Sequence, residues 1–222
     1  MHRQKMKSAI FIFFFLVVLI SIELSGCFKN LTHSDIVYFN DFENGKLNGF
    51  QLPNSTGPVI VPPVETFNGS KVFGRFNNTP ILLKLDSLPL HNAVEVSFDL
   101  YIHDKWEGDH IGYSGIPDLW AVRINDSLQF YTTFSNTQYT QTYPNMSIGY
   151  ASYPARANSW ISNLPGVCYF AGKTDGSSYY KFIQTFVTSK SSFSIQLSDA
   201  LQGDKCTKSW SVDNFQVRAI NY

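Results

Sequence analysis

Acidic residues crowd one segment of the sequence, His103-Asp104-Lys105-Trp106-Glu107-Gly108-Asp109-His110, which is followed by Pro117-Asp118. Carboxylates are the hard oxygen ligands that Ca²⁺ prefers. The segment therefore offers one calcium site, and its candidate ligands are Asp104, Glu107, Asp109 and Asp118. Their spacing is not that of an EF-hand loop, so a solvated acidic loop is the alternative. His103 and His110 could join a transition-metal site, but their spacing is unspecific, and we interpret them as lone surface histidines.

A second set of carboxylates lies near the two ends of the predicted fold. Asp41 and Glu43 follow the first predicted strand, and Asp213 lies in the last one. First and last strands are neighbours in many β-sandwiches, so we predict one structural Ca²⁺ held by Glu43 and Asp213, with Asp41 as a third ligand. The alternative is that Asp41 and Glu43 only begin a turn at Asn44-Gly45.

Signatures of catalysis are missing from the sequence, which has no G-x-S-x-G, P-loop or H-E-x-x-H motif. Glu95 and Asp99 share one face of a predicted strand, but a rise of about 3.3 Å per residue separates their Cα atoms by roughly 13 Å. Retaining glycosidases need carboxyl groups about 5 Å apart. A carboxylate on a strand next to Asp99 is the remaining route to a glycan-cleaving enzyme, and we predict a protein without catalysis.

These residues must be positioned by strands, because apolar and polar residues alternate along most of the chain. In 93–102, Val94, Val96, Phe98, Leu100 and Ile102 point to one face. That period of two indicates half-buried antiparallel strands. Further strands are predicted at 36–42, 71–76, 80–85, 120–124, 128–134, 180–188 and 193–197. The fold class is all-β, an antiparallel β-sandwich of the jelly-roll type.

Two irregularities interrupt this pattern. In the last strand Trp210 and Val212 share a face, and then Phe215 and Val217 resume one residue out of step. The slip at Asp213-Asn214 indicates either a β-bulge or the end of the strand. Between 135 and 179 the alternation fades into a Tyr-rich segment, which we interpret as long surface loops that could stack on sugar rings.

Several short motifs occur in a fixed order over about 93–217. They are Ser97-Phe98-Asp99-Leu100-Tyr101, Trp106-Glu107-Gly108, Pro117-Asp118-Leu119-Trp120, Thr132-Thr133-Phe134-Ser135-Asn136 and Ser209-Trp210-Ser211-Val212-Asp213-Asn214. The order resembles a family of exported bacterial β-sandwich modules, which is similar to concanavalin-like and carbohydrate-binding jelly rolls. That family usually has Asp at the position of Glu107. The function of that family is undefined, so the resemblance implies fold and export rather than an activity.

The first 27 residues are typical of a bacterial lipoprotein signal. Three cations precede an apolar stretch of 14 residues, 9–22, which ends before Leu24-Ser25-Gly26-Cys27. This motif resembles a lipobox, which implies removal of 1–26 and lipid attachment at Cys27. An ordinary signal peptide or an uncleaved anchor is the alternative. We expect 27–34 to be a tether and 35–222 to be the sandwich.

The charge of the chain limits its possible partners, and its cysteines indicate a disulfide. Lys plus Arg number 17 and Asp plus Glu number 17, which argues against a nucleic-acid partner. Removal of 1–26 would leave 14 cationic and 16 anionic side chains, so lipid is the only evident membrane anchor. Cys168 and Cys206 are predicted to form a disulfide in an exported chain, and two separate thiols are the alternative.

These observations predict a lipid-anchored protein of the bacterial cell envelope that binds a glycan or another surface. A structural envelope lipoprotein without a small ligand is the first alternative, and a glycan-cleaving enzyme is the second. Exposed aromatic rings would favour binding, whereas two facing carboxylates in a cleft would favour hydrolysis.

Overall fold

A computed structural model describes residues 32–53, 63–112, 115–146 and 151–222, which form strands and no helix. The signal segment and Cys27 lie outside these residues. The strands are β1 His33–Asn40, β2 Phe50–Gln51, β3 Val64–Phe67, β4 Ser70–Phe76, β5 Ile81–Leu85, β6 Ala93–Asp104, β7 Leu119–Ile124, β8 Ser127–Thr133, β9 Ile161–Leu164, β10 Ser177–Val187, β11 Phe193–Ala200 and β12 Lys208–Asn221. Within the described ranges, no helix is long and apolar enough to cross a bilayer.

The larger of two antiparallel sheets has seven strands, in the order β3-β4-β12-β6-β10-β9, and β1 also pairs with β12. Strand β4 pairs with Trp210–Val212, and β1 pairs with the later part of β12, from Phe215 to Asn221. The two strands therefore lie end to end along the same edge of β12. The register against β6 shifts between Asp213 and Gln216, which confirms the predicted bulge.

The second sheet has five strands in the order β2-β5-β11-β7-β8 and packs against the first. The alternating residues of β6, from Val94 to Ile102, point between the sheets and are buried. Phe98 stacks between Phe182, at 4.7 Å between ring centroids, and Phe215, at 5.0 Å. The structure therefore confirms an all-β antiparallel sandwich with an aromatic core.

The predicted strands agree with the observed ones to within three residues at most ends, but three short strands were not expected. These are β2, β3 and β9, of two to four residues, which are too short to show a period of two. Strand β9 lies inside the segment that we interpreted as loops. Strand β1 begins at His33, two residues inside the expected tether.

Strand direction gives the sandwich two distinct ends. His33 pairs with Asn221, so the chain enters β1 beside the last residues of β12. Lys208, at the start of β12, lies at the opposite end, and 13 residues of strand place it about 43 Å from Asn221. We call the end at His33 the tether end and the end at Lys208 the loop end.

Candidate functional site

The loop end carries a cleft of about 400 Å³. The segments that line it follow β6, precede β7 and connect β11 to β12. They include the motif residues Glu107 and Asp118. Cavities of 300–1,000 Å³ are the usual size for small ligands in proteins. Two of the sequence motifs, Trp106-Glu107-Gly108 and Pro117-Asp118-Leu119-Trp120, therefore contribute to one concave surface.

The floor of the cleft is a network of ion pairs around Lys208. Its Nζ lies 3.0 Å from Oε2 of Glu107 and 2.8 Å from Oδ2 of Asp118. The side chains of Lys208 and Asp118 are only 6% and 3% exposed. On the outer side, Lys105 Nζ lies 3.2 Å from Oε1 of Glu107. Two cations and two anions thus neutralise one another before any ligand arrives.

Burial and charge act differently on the two carboxyl groups of the floor. Burial raises the pKa of Asp118 above its ordinary value, although Lys208 and the backbone N–H of Glu107 donate to it. Burial would also raise the pKa of Glu107, but hydrogen bonds from Lys208 and Lys105 outweigh it and lower that pKa. Removal of Lys208 would therefore leave two carboxyl groups that burial disfavours in their charged form.

Aromatic rings lie next to His110 and Lys105, which line the cleft. His110 stacks on Tyr139 with ring centroids 4.0 Å apart and planes inclined by 8°. Tyr169 is 54% exposed, and its ring centroid lies 5.7 Å from Lys105 Nζ. The hydrogen bond to Glu107 chiefly raises the pKa of Lys105, and Tyr169 and Tyr139 add to that effect. The two tyrosines therefore both lie near the ammonium group of Lys105.

Asp104 fixes the loop that carries Tyr169. Its fully buried carboxylate accepts hydrogen bonds from the backbone N–H groups of Val167, Cys168 and Phe170. The disulfide predicted between Cys168 and Cys206 is present, with Cα atoms 5.1 Å apart. Asp104 and the disulfide thus fix the loop on β6 and on the approach to β12.

Asp109 fixes the other side of the cleft. Its carboxylate accepts from the hydroxyl groups of Thr133, Thr140 and Ser152. The preceding Gly108 has φ +58, and a Cβ there would lie 1.9 Å from the carbonyl oxygen of Thr140. The glycine of the Trp-Glu-Gly motif is therefore required by the close approach of this loop.

The four candidate ligands of the first calcium hypothesis make different contacts in the structure. Asp104 binds backbone N–H groups, Glu107 and Asp118 share the ammonium of Lys208, and Asp109 accepts from hydroxyl groups. Each of these four carboxylates thus already has a hydrogen-bond or ion-pair partner. Across the described ranges, no three His, Cys, Asp or Glu side chains are grouped so that they could hold a metal ion.

The second calcium hypothesis named Glu43, Asp213 and Asp41, and the structure brings the first two together. Ser70 Oγ lies 2.7 Å from Oε1 of Glu43 and 2.8 Å from Oδ2 of Asp213. Asp41 instead accepts from the backbone N–H of Glu43, as the turn alternative supposed. Two carboxylates and one hydroxyl are suitable oxygen ligands, and calcium binding there stays a prediction.

The bulge places Asp213 opposite Asp99 of β6, so Asp99 does have a carboxylate on a neighbouring strand. Asp213 is only 2% exposed, however, and a buried carboxyl cannot contact a glycosidic bond. Asp99 accepts hydrogen bonds from Tyr179 Oη at 2.6 Å and from Asn214 Nδ2 at 2.8 Å. The pair is therefore part of the outer face of the large sheet rather than of a cleft.

His103 lies inside the protein, although the sequence suggested a surface histidine. Its Nε2 lies 2.7 Å from Ser211 Oγ, and its ring packs on Phe67 at 4.6 Å. Burial, aided by the charge of Arg75, lowers its pKa to about 3. His103 therefore stays neutral, and only His110 of the two histidines reaches the cleft.

The Tyr-rich segment divides among several environments. Tyr139 and Tyr169 flank the cleft, Tyr143 packs on Phe134 and Tyr180, and Tyr150 lies outside the described residues. The floor lysines Lys105 and Lys208 were not predicted as site residues. The sequence offered one signal for Lys105, namely its position two residues before Glu107. Nothing in the local sequence marks Lys208, because its partners are 90 and 101 positions away.

No protein-family model and no curated protein match this chain. Among solved structures, it is similar to the CBM2 module of the evolved Dit of Lactobacillus casei BL23 phage J-1, with 10% identity, a TM-score of 0.44, and coverage of 87% of this chain and 99% of that one. It is also similar to the K3 cleaved adhesin domain of Lys-gingipain from Porphyromonas gingivalis w83, with 12% identity, a TM-score of 0.40 and coverage of 84% and 99%.

Dimeric latent PorU from Porphyromonas gingivalis matches with 8% identity, a TM-score of 0.39 and coverage of 72% of this chain. The chain spans only 11% of the length of PorU. With TM-scores below 0.5, none of these similarities supports a shared ligand or activity.

Proposed function

We propose that this chain is a lipid-anchored protein of the bacterial cell envelope that binds a glycan in the loop-end cleft without cleaving it. The observation that carries the proposal is the pair of exposed rings, Tyr169 and His110, beside a floor of charged groups that already hold one another in place. Sugar rings offer apolar faces for stacking on aromatic side chains and hydroxyl groups for polar contacts.

The charge pattern of the floor suits a neutral ligand that is rich in hydroxyl groups. Such a hydroxyl can donate to Glu107 and accept from Lys105, and both side chains are partly exposed at 18% and 35%. Because Lys208 already orients Glu107, little side-chain freedom remains to be lost when a ligand binds. A strongly charged ligand would lack an unpaired partner on this floor.

The proposed anchor fits the direction of the strands. Lipid on Cys27 would hold the tether end near the membrane, because β1 begins at His33. The cleft lies at the other end of β12, about 43 Å away. An anchored protein would therefore present the cleft away from the membrane, where envelope glycans are reachable.

Glycan binding is tested with the chain 27–222, first on a glycan array and then by calorimetry with the best ligand. We expect Tyr169→Ala to weaken binding about tenfold, since loss of one aromatic contact removes about 1 kcal/mol or slightly more. Trp160→Ala is the matched control, because this side chain is 67% exposed but contacts Lys181 instead of the cleft.

The opposite pattern, in which Trp160→Ala abolishes binding and Tyr169→Ala has no effect, would move the site to the outer face of the large sheet. Failure of every glycan at millimolar concentration would reject the binding proposal and leave a structural envelope lipoprotein. Release of reducing sugar from a bound glycan would reveal the enzyme alternative.

The anchor is tested separately with Cys27→Ser in a bacterial host. We expect labelled fatty acid on the wild-type protein and none on the variant, with the variant released or left as an unprocessed precursor. Equal labelling of both proteins would contradict attachment at Cys27.

A further inference from the structure

Three apolar side chains project from the tether end. Leu90 is 86% exposed, Val187 is 93% exposed and Tyr222 is 69% exposed. Single exposed apolar residues are common on soluble proteins. These three, however, come from three different segments, namely the β5–β6 loop, the end of β10 and the residue after β12.

Hydrogen bonds to one residue, Asn92, hold these segments together. Thr188 donates its backbone N–H to the carbonyl oxygen of Asn92 at 3.1 Å. Tyr222 donates its backbone N–H to Asn92 Oδ1 at 3.2 Å. Leu90 is two residues before Asn92, and Val187 directly precedes Thr188. The three side chains therefore project from one small area.

The chain enters the sandwich at the same place. His33 pairs with Asn221, the neighbour of Tyr222, and Cys27 is six residues before His33. Six extended residues span at most about 20 Å. A lipid on Cys27 would therefore keep the apolar area within that distance of a bilayer.

We propose that the tether end rests on the lipid surface, with Leu90 and Val187 inserted at the boundary between headgroups and acyl chains. Tyr222 suits the same depth, since amphipathic tyrosine rings favour the membrane interface. In the cell this contact rests on the proposed lipid anchor, which converts a weak contact into an intramolecular one of high effective concentration.

Apolar insertion rather than charge drives this contact. Lys84 and Lys190 lie near this end, but Asp86 and Asp126 line the same shallow cavity and balance them. A cationic surface would bind anionic lipid through its charge. The tether end should therefore contact zwitterionic and anionic bilayers to a similar extent.

The test attaches the chain 27–222 artificially, so that its result does not depend on native lipidation. Cys168 and Cys206 form a disulfide, which leaves Cys27 as the one thiol for coupling to a maleimide lipid in phosphatidylcholine vesicles. In a Trp160→Phe background, a reporter tryptophan is placed by Val187→Trp at the tether end. The matched control is Ile111→Trp, at a side chain that is 60% exposed beyond the loop end of β6.

Quenching by lipids brominated on their acyl chains is then compared. We expect the added fluorescence of Val187→Trp to be quenched at least about twofold more than that of Ile111→Trp, because only an inserted ring reaches the acyl chains. Leu90→Trp should give the same result and serves if Val187→Trp fails to fold. Adding phosphatidylglycerol should change the ratio little.

Equal quenching at the two ends would overturn the inference, whether the tether end faces water or packs on a second copy of the chain. That result would leave fatty-acid labelling of Cys27 and glycan binding unaffected. Conversely, strong quenching of Val187→Trp would stand even if the native protein carried no lipid.

Discussion

Asp213→Asn is expected to stabilise the protein at neutral pH and to remove one component of its pH dependence. Asp213 is buried at the bulge of β12, where Ser70 lies between it and Glu43. A serine hydroxyl has one hydrogen to donate. It can satisfy only one of the two carboxylates, so the second contact is favourable when Asp213 carries a proton and donates it to Ser70 Oγ.

The pKa of Asp213 agrees with this geometry. Burial is the main cause that raises it from the ordinary 3.8 to about 6, and the negative charges of Asp99 and Glu43 add to the effect. The folded state therefore binds this proton more tightly than the unfolded state. The contribution of Asp213 to stability is therefore fully present below about pH 4 and is lost as the pH rises through about 6.

The size of the stability effect follows from the pKa shift of Asp213. A rise from 3.8 to about 6 corresponds to about 3 kcal/mol, and solvent screening by the exposed surroundings of Glu43 reduces this to about 1–2 kcal/mol. An asparagine would donate from Nδ2 to Ser70, accept from the N–H of Asn214, and leave the Ser70 hydrogen for Glu43. The variant should thus gain about 1–2 kcal/mol over wild type at pH 7.5 and nothing at pH 4.

The assay is urea unfolding of both proteins from pH 4 to pH 7.5 in metal-stripped buffer, with Asp86→Asn as a control that removes an exposed charge elsewhere. A stability difference between variant and wild type that does not change with pH would refute the reasoning. If calcium binds at Glu43 and Asp213, adding it should make wild type more stable than Asp213→Asn, because the variant lacks one carboxylate ligand. If calcium stabilises wild type by about 2.7 kcal/mol at a hundredfold excess over Kd, and Asp213→Asn reduces the effect of chelator, the ion is placed correctly.

Three further outcomes are expected from buried groups. Lys208→Met should lose about 3 kcal/mol of unfolding free energy because the buried carboxylate of Asp118 loses its counter-ion, whereas Lys105→Met should lose less than about 1 kcal/mol. Equal losses in urea titrations would contradict this. His103, with a pKa near 3, takes up a proton only on unfolding, so its contribution to stability should fall by about 2 kcal/mol between pH 7.5 and pH 5. The stability of wild type relative to His103→Gln should therefore fall by that amount over this pH range. Replacing Cys168 and Cys206 with alanine should lower stability by about 4 kcal/mol for a 38-residue separation, and an unchanged melting temperature would argue against that contribution.

The candidate site was predictable only in part. The sequence singled out Glu107, Asp109 and Asp118 as residues with chemistry, and all three belong to the loop end. It grouped them as candidate calcium ligands, which stays a prediction, and it did not reveal the ammonium and hydroxyl groups that contact them in the structure. The missing information was Lys208, which lies 90 positions beyond Asp118 and carries no local pattern.

The positions of the longer strands and their buried faces followed from the sequence alone, because side chains alternate across a strand and burial of one face imposes a period of two. The same rule located the bulge at Asp213-Asn214, since one extra residue reverses the faces. A disulfide was predictable because two cysteines remain beyond Cys27 in a chain with an export signal. These features depend on local order or on composition, so no partner strand has to be known.

Tertiary structure alone decided which strands are neighbours and therefore which polar groups meet. Ser70 and Asp213 are 143 residues apart and touch because β4 pairs with β12. Alternation states which way a side chain points but not what lies opposite it. The ion-paired floor, the contacts of Ser70 with Glu43 and Asp213, and the apolar tether end all arise from contacts between distant segments. The packing of the two sheets selects these contacts, and no local pattern in the sequence records them.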